Sequence, residues 1–441
     1  MNQGKHLPRK IFIETLEARI EGLINRSFLQ LLTRASNLDY PFIDSKFDIV
    51  TGRDFGPEDE YFRRRDCIYA WIQGRGLESF AGHASWYRNA GNDDLARNIA
   101  ETLRRIATNL ESCRLAAGGR LPFAFRPDGS PVWPQEPSAG NFSDLFYSKG
   151  LFATGTLLRH VPWQNDGEEQ FRQVLAAIRN REFRTDQHAF DEKNPVSHIP
   201  GKYPQGPRMI ALGGLALFAK ARPTEAFWLD TAAEFIQYIL DHHINTGQIL
   251  GLQKYDFVEA LDEQQQPWQD GERLLCDPGH ALEFIGLATK CLLIMQEQQR
   301  NQSLLQRCRE LFPNLFLHLF RLGFAAAGGI VKSYDLLARK PINDDMPWWS
   351  LPESMRAAAE LLVFCPEADA AAILDCYHQA AEAFLGGYLQ NNSFACQTLD
   401  ASGKISSAIP AVPDADPGYH TNLCLLEVLA LRCHHKVRAK K

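Results

Sequence analysis

The chain has 441 residues, 45% hydrophobic and 11% aromatic against 23% charged, enough apolar surface for a large core, which excludes a disordered, fibrous or collagen-like protein. Lys plus Arg is 47 and Asp plus Glu is 53, a formal charge of −6; without a basic excess, no nucleic-acid partner is expected. No run reaches the roughly 18 apolar residues of a membrane span, so no membrane partner is expected. The amphipathic I-F-I-E-T-L-E-A-R-I near the N-terminus is not a secretory leader, and a cytoplasmic protein is expected.

In chain order, 3.6-residue periodicity predicts helices over 11–35, 60–89, 93–117, 142–160, 165–181, 206–221, 224–243, 278–298, 301–321, 350–364, 367–389 and 417–433. The gaps alternate. Those after even-numbered helices are only a few residues, as at Asn92 and Pro223, whereas those after odd-numbered helices run to about two dozen or more. Short links join antiparallel neighbours, so the helices pair into hairpins. Six hairpins in sequence can close into an (α/α)6 barrel: an all-α fold, one domain over 1–441. An open solenoid would carry a sequence repeat, and none is present.

The long gaps then fall on one rim, and three carry strand and turn signals. R-L-P-F-A-F-R-P-D-G-S-P-V-W holds the Asp128-Gly129 turn of a hairpin. G-L-Q-K-Y-D-F-V-E-A and S-F-A-C-Q-T-L-D-A-S-G-K read as similar small ribbons. The ten cysteines include no C-x-x-C pair and most lie in apolar helical stretches, so reduced, buried thiols are expected. The terminal H-H-K-V-R-A-K-K reads as a solvated basic tail.

Reactive side chains gather where the even helices begin. Y-A-W-I-Q-G-R puts Trp71 and Arg75 on one helical face. Q-G-P-R-M-I-A-L supplies Arg208, and R-L-L-C-D-P-G-H-A-L-E-F supplies Arg273, His280 and Glu283. W-W-S-L-P-E-S-M gives Trp348, Trp349 and Glu353, and D-P-G-Y-H-T-N gives Tyr419 and His420. Each has a plainer reading. His280 and Glu283 could be a helix-surface pair or metal ligands, Arg75 a partner for the acidic run at Glu58, and the tryptophans simple packing. His242 and His243 at a helix end read as imidazolium suiting the dipole. Joint placement on one rim favours a site.

Aromatic rings with arginines and carboxylates hold polar sugars, and two histidines facing such a ligand suggest proton transfer α to a carbonyl. Glu283 and Glu353 keep glycoside hydrolysis open as a rival, beside a non-catalytic sugar-binding barrel. No Walker A loop, dinucleotide fingerprint, nucleophile elbow or convincing metal cluster is present, so neither cofactor nor metal is expected.

In W-I-Q-G-R, R-L-L-C-D-P-G-H-A-L-E, W-W-S-L-P-E and G-Y-H, in that order, the sequence resembles the N-acylglucosamine 2-epimerase and cellobiose 2-epimerase superfamily, which includes mannose and sulfoquinovose isomerases. P-G-H-x-x-E with its upstream Arg is the most specific element. The resemblance implies an (α/α)6 barrel, with His280 and His420 as acid/base residues and Arg75 polarising the open-chain carbonyl. It also implies substrate-binding roles for Trp71, Arg273, Glu283 and Glu353; Arg208 and Trp349 join them as candidate contacts to a small sugar. A homodimer is the assembly the resemblance suggests. Two departures bear on the substrate: Ile210 stands where cellobiose epimerases carry a histidine, as in the acylglucosamine branch, and D-A-D-P-G-Y precedes His420 in place of a Lys-containing run. N-acylglucosamine epimerisation is therefore the leading expectation, with mannose-type aldose–ketose isomerisation next.

Overall fold

The computed structural model describes residues 9–190, 196, 198–249, 251–366, 368–389 and 393–438. Among them are twelve α-helices: α1 (Arg9–Ala35), α2 (Ala70–Asn89), α3 (Asp93–Ala116), α4 (Phe142–Leu158), α5 (Val161–Arg179), α6 (Gly206–Ala221), α7 (Ala226–His242), α8 (Pro278–Glu297), α9 (Gln302–Gly323), α10 (Ser350–Phe364), α11 (Ala370–Ala383) and α12 (Cys424–Arg438). The even helices pack on one another in order, and α2 meets the π-helical turn Tyr419–Leu423 that leads into α12, so the inner ring closes. Each odd helix backs an inner one, and the result is the expected (α/α)6 barrel. No helix among the described residues is long and apolar enough to cross a membrane.

Side-chain capping explains five of the twelve helix starts. Asn92, Asn141, His160, Asp277 and Asp369 each accept a backbone N–H two or three residues into the helix that follows. α5 begins four residues before the expected start because His160 caps it and Pro162, lacking an N–H, suits the first turn. α2 begins ten residues later than expected. Tyr61–Arg63 forms a short 3-10 turn, and Ile68–Tyr69 is drawn off as a strand against Ala124–Phe125. Arg63, Arg64 and Arg65 therefore precede α2, paired with Glu60, Asp66 and Asp44.

The rim ribbons follow a rule the periodicity did not reveal: successive long loops pair with each other. Ile68–Tyr69 pairs with Ala124–Phe125, Tyr203–Pro204 with Ala260–Leu261, and Met346–Pro347 with Thr398–Leu399. Arg273–Cys276 joins Ser333–Asp335 in a four-stranded sheet completed by Gln269–Asp270 and Lys340–Asn343. The Asp128-Gly129 turn forms as expected, with the Gly129 N–H on the Arg126 carbonyl. These cross-loop bonds satisfy backbone groups that long rim loops would otherwise leave buried and unpaired.

The seam between the first and last elements is polar. Lys46 Nζ lies 2.6 Å from Asp414, both buried, and Ser45 donates to the same carboxylate. Ser79 Oγ donates to the Gly418 carbonyl at 2.7 Å; Gly418 sits at φ +79°, where a side chain would be strained and its Cβ would fall 2.9 Å from that hydroxyl. α2 and α4 approach closely: a Cβ on Gly150 would stand 2.2 Å from the Gly74 carbonyl oxygen. Backbone cannot yield as a side chain can, so Gly150→Ala should lower stability by about 1–3 kcal/mol, read as a fall in Tm by calorimetry.

Nine of the ten cysteines are free and buried; Cys433 and the basic tail have side chains outside the described residues. His243 corrects the expectation of an imidazolium at the α7 end. Burial drives its pKa down to about 3, and Nδ1 sits 2.8 Å from the Val258 carbonyl, so a neutral ring ties the helix end to the next loop.

Candidate active site

His280, on the first turn of α8, and His420, in the π-helical turn before α12, both pack near Trp349. The indole centroid is 5.3 Å from the His280 ring and 5.9 Å from the His420 ring. Gly279 leaves room for this arrangement, since a Cβ there would lie 2.9 Å from the Trp349 ring.

Both imidazoles are anchored through Nδ1. That of His280 lies 3.0 Å from Glu259 Oε1 and 3.3 Å from Asp277 Oδ2. Asp277 serves twice: Oδ1 caps α8 by accepting the His280 backbone N–H, while Oδ2 also takes Lys332 Nζ at 2.7 Å. Burial disfavours the charged form of His280, but the Asp277 and Glu259 carboxylates outweigh it and raise its pKa. His420 Nδ1 lies 2.8 Å from Glu353 Oε1. Glu353 is fully buried, yet Arg356 and the His420 hydrogen bond hold its pKa down at about 2. With both Nδ1 atoms committed, each ring is left with Nε2 for chemistry.

Arg75 packs on the Phe146 ring 4.1 Å away, with the Trp71 and Tyr419 rings each 5.6 Å away. Burial lowers its pKa, opposed by Tyr419 and Glu283, and its Nε has no hydrogen-bond partner among the described residues. The acidic run near Glu58 turns instead to Arg53 and Arg63. Trp71 is fixed by Nε1 donating to Asp186 Oδ1 at 3.2 Å. Tyr419 accepts from the buried Lys149, which also pairs with Glu78 at 2.9 Å.

Glu283, on α8 one turn beyond His280, is buried with its pKa raised by burial and by Glu353. Donor atoms of Glu283, Glu353 and His420 lie within 4.8 Å of one another. Glu353, however, already receives Arg356 on one oxygen and His420 and Cys424 on the other, so the guanidinium takes the charge-balancing place in this cluster.

His280, His420, Arg75, Trp71, Glu283, Glu353 and Trp349 thus form one connected cluster on the inner helices. Arg208 and Arg273 have other partners. The Arg208 guanidinium is over Tyr238 of outer helix α7, 3.9 Å from the ring, at the edge of a depression of about 330 Å³ shared with Phe142, Phe183 and Glu259. Arg273 is exposed on its strand, paired through the backbone with Asp270. Sequence reasoning missed Glu259, Lys332, Arg356 and Lys149. Asp277 alone had a local signal, the cap position in D-P-G-H.

A closed (α/α)6 barrel with two carboxylate-anchored imidazoles and a guanidinium among aromatic rings fits the class of carbohydrate epimerases and isomerases. The profile of the N-acylglucosamine 2-epimerase (GlcNAc 2-epimerase) family matches residues 151–424, more than half of the chain. The chain belongs to this family, and so to the sugar 2-epimerase and isomerase superfamily. No curated protein matches it significantly by sequence. Among solved structures, a sugar epimerase from a ruminal bacterium superposes at TM-score 0.71 and 10% identity, covering 95% of this chain and 98% of its own. A D-mannose isomerase gives 0.67 at 14%, covering 97% and 100%. The cellobiose 2-epimerase of Bacillus thermoamylovorans B4167 gives 0.68 at 11%, covering 96% and 100%. At these identities the likeness speaks for the fold.

Proposed function

We propose that the protein is a 2-epimerase of N-acylglucosamine-type sugars, working by proton transfer at C2 of the open-chain aldose. The observation that carries this reading is the pair of imidazoles near Trp349, each with Nδ1 tied to a carboxylate. His420, its Nδ1–H donated to ionised Glu353, takes the C2 proton on Nε2. The C2–H electrons form the C1–C2 double bond of an enediolate, and the oxygen at C1 becomes negative beside the unpaired Arg75 guanidinium. His280, its protonated form favoured by Asp277 and Glu259, returns a proton to the opposite face of C2; in the reverse direction the two exchange roles. Delivery to C1 instead would give the ketose.

Ile210 on α6 supports an N-acyl substituent, because it packs against the apolar cluster that includes Trp71 and Phe146 and offers an apolar wall where a polar sugar hydroxyl would find no partner. Hydrolysis fits less well, since Glu353 spends both oxygens on Arg356, His420 and Cys424 and has none free for a glycosidic bond. The same reading takes residues 1–441 as one catalytic domain acting in the cytoplasm, as a homodimer, on a small sugar and without cofactor.

The test is proton NMR in D2O with N-acetylglucosamine, N-acetylmannosamine, mannose, glucose and cellobiose. Loss of the C2 proton with appearance of the epimer of an N-acetyl sugar is the expected result. A new ketose from mannose would replace it with isomerisation, and no exchange on any sugar would overturn it. A second expectation follows from His280. Glu259→Gln removes one carboxylate that favours imidazolium, so the alkaline limb of kcat should move to lower pH, measured on the sugar that exchanges.

A further inference from the structure

Arg356 on α10 has no place in the proton transfers just described, yet it is 4% exposed and lies between two inner helices. Its Nη2 donates to Glu353 Oε2, and Nη1 lies 3.7 Å from Glu427 and 3.5 Å from Cys424 Sγ. Its Nε has no hydrogen-bond partner among the described residues. The fold makes room for it: a Cβ on Gly286 of α8 would stand 3.2 Å from that Nε. An apolar side chain would fill such a site at lower desolvation cost than an incompletely bonded guanidinium.

We propose that Arg356 is a positioning residue that acts through Glu353 to set the tautomer of His420, with the proton on Nδ1 and the lone pair on Nε2. A guanidinium only donates, so Oε2 of Glu353 must accept. Oε1 lies 2.8 Å from His420 Nδ1 and 3.1 Å from the Cys424 thiol, which donates to it. The opposite tautomer would need a proton on Oε1, where the thiol hydrogen already points, and beside a cation that favours the bare carboxylate. Nδ1 therefore carries the hydrogen, and Nε2 is kept as the base. The inference rests on the reading of His420 as that base.

Histidine-selective 15N NMR tests it on the full-length protein. Wild-type His420, assigned by loss of its signal in His420→Asn, should be in the Nδ1–H form. Arg356→Met should shift it to a mixed or Nε2–H form and lower kcat on the order of 10²-fold with KM nearly unchanged, and Arg356→Lys should restore most of both. An Nε2–H His420 in the wild type would overturn the proposal even if the Met variant failed to fold. So would a Met variant with an unchanged spectrum and unchanged kcat. If His420→Asn kept full C2 exchange, the base assignment would fall, while the tautomer spectra would still decide the role of Arg356.

Discussion

His280→Asn should stop epimer formation but leave solvent exchange of one sugar. In the proposed mechanism the two imidazoles address opposite faces of C2, so removing the proton donor on one face leaves the base on the other intact. In D2O the variant should wash out the C2 proton of the epimer that His420 reaches, without converting it. His420→Asn should give the mirror pattern, exchanging only the other epimer. Each loses turnover by at least about 10³-fold, within the usual worth of a positioned acid or base. Asn can still donate to Glu259 or Glu353, so the carboxylates keep a partner and binding should survive. NMR on both epimers reads exchange and conversion together. Loss of all exchange in both variants, or unchanged turnover in either, would sink the two-base reading.

Arg75→Met should lower kcat by about 10²–10³-fold, the usual effect of removing a donor aimed at developing oxyanion charge. The same change should leave Tm unchanged or raised. Arg75 has no ion pair among the described residues, burial works against its charge, and its Nε is unsatisfied. A thioether of similar length would pack on Phe146 without that desolvation cost. A group that costs stability where no fold contact needs it is expected when function keeps it. Calorimetry beside kinetics separates the readings: a Tm loss of many degrees with activity intact would make Arg75 a structural residue.

The helix count, the alternation of short and long gaps and the closed barrel were legible in the sequence because helices are local. Their periodicity, caps and i to i−4 bonds lie within a few residues of one another. The start of α2 was not legible, because Ile68–Tyr69 pairs with a segment over fifty residues away and no local preference signals that.

The site divides in the same way. The sequence by itself determined which reactive residues sit at the starts of inner helices, since D-P-G-H, W-W-S-L-P-E and G-Y-H each mark a helix N-terminus. That Ile210 stands on α6 was equally readable. Only the tertiary structure decided their partners: Glu259 for His280, Arg356 behind Glu353, and Lys149 under Tyr419. It also set Arg208 over Tyr238, in a depression that Glu259 shares, and left Arg273 exposed. Position on a helix follows from spacing along the chain. Partnership and direction follow from which distant loops and helices the closed ring brings within a few ångströms, and contacts between distant segments leave no periodic trace in the sequence.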